Sequence, residues 1–207
     1  MKRRVAATRE QQKEETRRAF VSAAEALFCE KGLETPSLDE ISERAGYTRG
    51  AFYVHFRDRD ELVAAVIETS TVMLLDALVA TGDEANDFER TIDFFVTAVE
   101  SGVYPIPGVL YSHQVLQACA RSEKIRERYV AAVTGAARRV AEAARHGQAA
   151  GTVRQDVDAD EIGLILIGLV MSVETLVEVK FPLNVRKTAE ALKKLLLTSG
   201  REASVRT

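Results

Sequence analysis

Arg49, Gly50, Tyr53 and His55, with Arg57 and Arg59 just beyond, bring donors for anionic oxygen into one short stretch. An arginine guanidinium is a planar fork of N–H groups that fits a phosphate or the edge of a guanine. Tyrosine and histidine add single donors, and Gly50 lets another backbone come close. The chemistry this set suits is recognition of a nucleic-acid backbone and its base edges. It does not suit metal binding or proton transfer, because no Asp or Cys partner stands at ligand spacing on the His55 face.

Two short helices must position that set. Leu38, Ile41 and Ala45 fall at i, i+3 and i+7, one apolar stripe of a helix. Ser37 stands before it with Glu40 three residues on, the S-x-x-E pattern of a capping box. Gly46 stops the helix, as a residue that tolerates positive φ does. Thr48 then caps a second helix, with Phe52 and Phe56 on its inner side. Capping is the structural reading of Ser37 and Thr48, and it is compatible with phosphate contact, since a helix N-terminus favours an anion. Two short helices joined by a glycine-containing turn make a helix-turn-helix.

The run Ala45-Gly46-Tyr47-Thr48-Arg49-Gly50-Ala51-Phe52-Tyr53-Val54-His55-Phe56, followed by Arg57-Asp58-Arg59-Asp60-Glu61-Leu62, resembles the signature of TetR-family transcriptional repressors. Leu38-Asp39-Glu40-Ile41 fits the second helix of the same family. The resemblance covers roughly the first 65 residues; beyond them only the helical layout and length are similar. It implies that the third helix lies in the major groove of double-stranded operator DNA. It places Arg49 and Gly50 at base-facing positions and Tyr53, His55 and Arg59 at phosphate-facing ones. Many members carry a second aromatic where this chain has Val54, and Lys where it has Arg59. Val54 removes a stacking surface, and Arg59 alters the phosphate geometry.

The 207 residues are 46% apolar, enough for one or two domains with a real core. The net charge of −3 does not advertise nucleic acid, but residues 1–60 carry a net +1 and residues 61–207 a net −4. Cys29 and Cys119 make neither a disulfide framework nor a metal-binding spacing, so no cofactor or metal is expected. The N-terminal stretch lacks the apolar core of a secretory signal, and a cytoplasmic setting is expected. Lys2, Arg3 and Arg4 read as a solvated tail or as an arm reaching an adjacent minor groove. There is no glycine-rich phosphate loop, no G-x-S-x-G and no H-E-x-x-H, so no catalytic residue is nominated and the chain does not read as an enzyme.

The expected architecture is all-α, with about nine helices. Residues 1–60 form a three-helix DNA-binding domain, and residues 61–207 a larger ligand-binding and dimerisation domain. Helix 1 runs from about Arg9 to Lys31 with Phe20, Ala24, Leu27 and Phe28 inside, and Gly32 ends it. Helix 4 starts at Asp60-Glu61-Leu62-Val63, continues through Val66, Ile67, Val72, Leu74, Leu75 and Leu78, and breaks at Ala80-Thr81-Gly82-Asp83. Helix 5 spans about Asp87 to Val103. Tyr104-Pro105-Ile106-Pro107-Gly108 cannot sit inside a regular helix. Helix 6 covers Val109 to about Ala120, with Leu110, Tyr111, His113, Leu116 and Cys119 as its marked positions, and helix 7 covers Glu123 to about Gln148. Phe94, Phe95, Tyr104, Tyr111, His113, Tyr129 and Met171 are candidate ligand-pocket residues, with core packing as the competing reading of each.

Ile162 to Val173 is twelve residues without a charge. At about 18 Å of helical rise it is too short for a bilayer of about 30 Å, so no membrane partner is expected. Apolar nearly all round, it has to be covered from more than one side. Ile162, Ile165, Leu166, Leu169 and Val173, with Leu192 and Leu195 of the last helix, are therefore expected to form a homodimer interface. The family resemblance also implies a four-helix contact there. Altogether the chain reads as a homodimeric repressor released from a palindromic operator by an unidentified small effector, apolar or aromatic. A helical small-molecule carrier or interaction module without sequence-specific DNA binding is the alternative.

Overall fold

The computed structural model describes residues 8–79, 88–102 and 111–198, with side chains past Ser70 in the fourth helix excluded. Among them are nine helices. These are α1 (Arg9–Lys31), α2 (Leu38–Ala45), α3 (Arg49–His55), α4 (Arg59–Val79), α5 (Phe88–Glu100), α6 (Ser112–Arg121), α7 (Glu123–Ala149), α8 (Ala159–Glu178) and α9 (Val185–Leu196). Their only β-type pairing is an isolated antiparallel bridge between Val153 and Leu197. No helix among the described residues is long and apolar enough to cross a membrane. The expected breaks at Ala80–Asp83 and Tyr104–Gly108 lie outside the described residues, as do Lys2, Arg3, Arg4 and the outer side chains of α4.

The helix ends follow from local chemistry. Thr8 caps α1 and, with Gln11, closes a reciprocal capping box, a T-x-x-Q pattern outside the expected start at Arg9. Gly32 stops the helix at φ 82°. Asp158 caps α8 by accepting from Asp160 N and Glu161 N, and Asn184 caps α9. Helix α6 starts at Ser112 among the described residues, the expected start at Val109 lying outside them, and it turns Val115, Ala118 and Cys119 inward. Tyr111 and Leu116, two of its marked positions, are exposed. The small Ala118 and Cys119 occupy the close-packed side, which a count of bulky residues does not reveal.

The described chain forms two compact units. The first holds α1–α3, α4 through Ser70, and Gln114–Tyr129. It therefore extends past the expected boundary at residue 60, because Val115, Ala118, Cys119 and Ile125 share one core with Phe20, Phe28 and Ile41. At its centre Phe20 meets Phe52 edge-on at 5.7 Å, and Phe52 stacks on Phe56 at 5.4 Å. Such pairs add about 0.5–1.5 kcal/mol each beyond their buried area.

The second unit holds α5, the rest of α7, α8 and α9. Its core joins Phe88, Ile92, Val96, Ala144, Ile162 and Leu196. Lys193 is buried on α9 with its ammonium 2.6 Å from Asp93 and 3.4 Å from Glu89 and Glu190. The hydrogen bond to Asp93 is the main reason its pKa is raised. Lys193 is thus an ionic tie between α9 and α5.

Candidate nucleic-acid interface

The recognition pair is built much as its residue pattern requires. Ser37 Oγ accepts from Glu40 N at 3.1 Å, and Thr48 Oγ1 accepts from Ala51 N at 3.3 Å. Gly46 closes α2 in the left-handed region, at φ 79° and ψ 23°. The expected return arm of the Ser37–Glu40 capping box is absent, because the Glu40 carboxylate takes Lys31 instead. Arg44 meets Glu30 through two contacts of 3.1 and 2.8 Å. These two pairs brace α2 against the end of α1.

With Phe52 and Phe56 inside, α3 leaves its other side bare. Arg49 and Gly50 are exposed, Tyr53 is 51% exposed and Val54 68%. Arg49 Nη1 donates to both carboxylate oxygens of Asp39 on α2, at 3.3 and 3.2 Å. Asp39 is not among the expected site residues. Its partner lies ten positions on, across a turn, and no helical period connects them. Arg57 is exposed beyond the helix, and its backbone N–H is held by Glu61 at 2.8 Å.

Arg59 is placed differently from the expected phosphate contact. Its Nη1 donates to Pro36 O and its Nη2 to Leu33 O, and the guanidinium lies 5.4 Å from the centre of the Phe28 ring. Both ends of the fork are thus committed to the loop between α1 and α2. The residue is an internal brace of the helix-turn-helix.

His55 is half-buried beside Phe20 and Phe56, at ring distances of 6.3 and 6.5 Å. Its Nδ1 is buried with no hydrogen-bond partner among the described residues. Burial lowers its pKa, and Lys13 and Arg17 of α1 lower it further. Arg17 also lies over the Phe56 ring at 5.4 Å, which puts a basic group of α1 beside α3.

The lowered pKa sets a sign. An ordinary histidine protonates near pH 6.5, so as the pH falls the unfolded chain takes up this proton before the folded one does. Folding stability from His55 is fully present above that value and is lost as the pH falls through the lower, folded-state pKa. Denaturant unfolding of the wild type and of His55→Gln at pH 7.5 and pH 5.5 should show a smaller acid loss in the variant. Equal losses would contradict the assignment.

Gly50 has a simple structural property. A Cβ built there meets only Thr48 Oγ1, at an ordinary 3.7 Å. Nothing inside the fold requires a glycine, and alanine is the better helix former by roughly 0.5–1 kcal/mol. Gly50→Ala is therefore expected to raise the melting temperature. If the bare position serves close approach of a duplex, the same change weakens operator binding about tenfold, the scale on which a single base pair is discriminated. A parallel thermal melt and duplex titration would check this, and unchanged affinity would remove Gly50 from the interface.

The expected pocket residues do not converge. In the second unit, α5, α7, α8 and α9 enclose a cavity of about 70 Å³ whose lining includes Phe95, Val140, Leu166, Leu169, Val173 and Leu192. Of the six candidates among the described residues, only Phe95 lines it. Phe94 is 40% exposed, and Tyr111 is exposed and stacked on His113. His113 pairs with Glu178, Tyr129 packs against the core of the first unit, and Met171 packs beside Ala136 and Ile167. Tyr104 lies outside the described residues. Apart from Phe95 and two threonines, the lining is aliphatic.

The expected interface residues also divide. Ile162 and Val173 are buried in their own chain, at 0% and 3% exposure, because the α8 face that carries them packs inward. Leu166, Leu169 and Leu192 line the cavity. Ile165 and Leu195 are exposed, as is Leu164, a residue outside the expected set.

Residues 20–66 match the model of bacterial regulatory proteins of the tetR family. The chain is 34% identical to the transposon Tn10 TetC protein of Escherichia coli over an alignment covering 39% of this chain and 45% of that one. It is 42% identical to the HTH-type transcriptional regulator AcrR of Shigella flexneri over 29% of this chain and 28% of that one. The matched part thus spans less than half the length of either relative. Among solved structures, SmeT, the repressor of the Stenotrophomonas maltophilia multidrug efflux pump SmeDEF, shares the fold with a TM-score of 0.62 at 23% identity. That superposition covers 90% of this chain and 94% of SmeT, and SmeT has also been solved in complex with triclosan.

Proposed function

We propose that this chain, whose residues 20–66 match the model of bacterial regulatory proteins of the tetR family, is a homodimeric transcriptional repressor that a small effector releases from a palindromic operator. The observation that carries this reading is the two-sided α3. Phe52 and Phe56 anchor it, while Arg49, Gly50 and Tyr53 are left exposed. Arg49 and Gly50 face the bases in the major groove. Tyr53, Arg57 and His55, with Arg17 of α1 beside it, hold the backbone, and the N-terminal ends of α2 and α3, capped by Ser37 and Thr48, favour phosphate.

Exposed Leu164, Ile165 and Leu195 on α8 and α9 support pairing of two copies through these helices. Twofold symmetry then sets two recognition helices on half-sites about one helical turn apart, or a multiple of it. The aliphatic cavity of the second unit supports a small apolar effector. At about 70 Å³ it is well below the roughly 300 Å³ of an ordinary small-molecule pocket, so the effector must widen it. Release from DNA follows only if the effector binds the DNA-incompetent state more tightly. Helix α4, which is separated from α3 by three residues and leads into the rest of the chain, is the proposed transmitter.

Selection of fragments of the source genome by the purified protein tests the reading. The protein is first unfolded and refolded to strip any bound small molecule. A shared palindrome near promoters is expected, and the neighbouring genes would indicate the effector class. Recovery of unrelated fragments by the stripped protein would favour a helical carrier or interaction module and contradict the regulator.

A further inference from the structure

We propose that Asp39 on α2 is a specificity-determining residue of the recognition surface, holding the Arg49 guanidinium by one nitrogen and fixing how its other donors meet a base. The inference rests on the reading of α3 as the recognition helix and assigns a role to a residue outside it. Both contacts come from Nη1, at 3.3 Å to Oδ1 and 3.2 Å to Oδ2. Asp39 uses neither Nη2 nor Nε. Arginine reads guanine through two N–H groups directed at O6 and N7, so which edge of the fork faces outward decides what Arg49 can read. Tyr53 flanks the same guanidinium and, together with Asp39, favours its charged form.

A folding role does not account for the pair. The Arg49 and Asp39 side chains are 55% and 69% exposed, and ion pairs this exposed contribute little to stability. Asp39 does sit in the first turn of α2, where the helix dipole favours an acid, but Glu40 beside it already supplies one. A carboxylate at this place also works against binding, since it lies near the phosphates that the surrounding groups attract. Asp39 therefore lowers affinity for every duplex while it restricts Arg49 to one orientation. That combination exchanges general attraction for discrimination.

The consequence is a pair of effects of opposite sign. In Asp39→Ala, Arg49 is released, and preference at the base it reads should fall about tenfold, the scale of one well-made bidentate contact. Affinity for random duplex should rise, by up to about threefold at low salt, because one negative charge has left the surface. Asp39→Asn keeps one oxygen acceptor without the charge. It should share the gain on random duplex while recovering part of the preference, which separates positioning from charge.

The test is selection from a randomised duplex library with full-length wild type, Asp39→Ala, Asp39→Asn, Arg49→Ala and the Asp39→Ala/Arg49→Ala double variant, with thermal melts of each. The expected result is loss of preference at the same operator position in Asp39→Ala and Arg49→Ala, no further loss in the double variant, and melting close to that of wild type for Asp39→Ala. If Arg49→Ala relaxes that position and Asp39→Ala leaves the profile unchanged, the role of Asp39 is overturned and the reading of α3 stands. The role is equally overturned if Asp39→Ala relaxes preference as much in the absence of Arg49 as in its presence. A wild-type protein with no preference, or a profile that Arg49→Ala leaves untouched, overturns both.

Discussion

Replacing Gly163 with alanine should lower the stability of the second unit by about 1–3 kcal/mol, the usual cost of overpacking a close approach. A Cβ at Gly163 would lie 2.3 Å from Ala137 O and 3.1 Å from both Ala141 N and Ala141 Cβ. Those atoms belong to α7, and the nearest is a backbone carbonyl within that helix, so it cannot rotate away as a side chain could. Helices α7 and α8 would have to separate at this crossing and loosen the packing of Ile162 and Ala144 nearby. The better helix propensity of alanine returns at most about 1 kcal/mol. Gly168, on the same helix, is the control, because a Cβ there meets nothing within 4 Å. Gly168→Ala should be neutral or stabilising. Chemical unfolding of both variants decides the matter, and equal midpoints would contradict a tight α7–α8 crossing at Gly163.

Arg59→Ala should destabilise the first unit by about 2–4 kcal/mol, because it removes two charge-assisted hydrogen bonds and the guanidinium packed on an aromatic ring. That guanidinium ties Leu33 O and Pro36 O while covering the Phe28 ring. Leu33 and Pro36 are themselves buried, so the two carbonyls are poorly placed to find water once the fork is gone. Lysine should recover only part of the loss, since one ammonium cannot reproduce two parallel donors and a flat face. The variant should also bind DNA less well, but in proportion to its unfolded fraction. Wild-type unfolding combined with lost duplex affinity would return Arg59 to the phosphate role that the family resemblance implies.

How far the sequence reaches depends on the range of the interactions involved. Helix α1 is legible to its ends, because Phe20, Ala24, Leu27 and Phe28 repeat at helical spacing and Gly32 stops the run. The helix-turn-helix is legible because caps, stripe and turn all act within a few residues. Arg59 is misplaced by its sequence context because its partners lie 23 and 26 residues upstream, and nothing near it in sequence marks them. Lys193 and its partners Asp93 and Glu89 form a tie of the same kind. The pocket is the least legible part. Aromatic residues draw attention, whereas the cavity is enclosed by branched aliphatics whose convergence only packing can reveal. The uncharged stretch from Ile162 to Val173 turns one face inward, with Ile162, Ile167 and Val173 buried, and leaves Leu164 and Ile165 exposed. Which of its residues turn inward depends on the phase of α8 against α7, fixed where Gly163 meets Ala137.

The activity proposed for this protein is sequence-specific binding of duplex DNA through α3. Its most direct test is the affinity of the full-length protein for a selected palindromic duplex and for a scrambled duplex of the same length and composition, titrated over a range of salt. The prediction is a preference of about a thousandfold or more near physiological salt, with affinity for both duplexes falling steeply as salt rises. Equal affinity for the two duplexes across the whole range would contradict it.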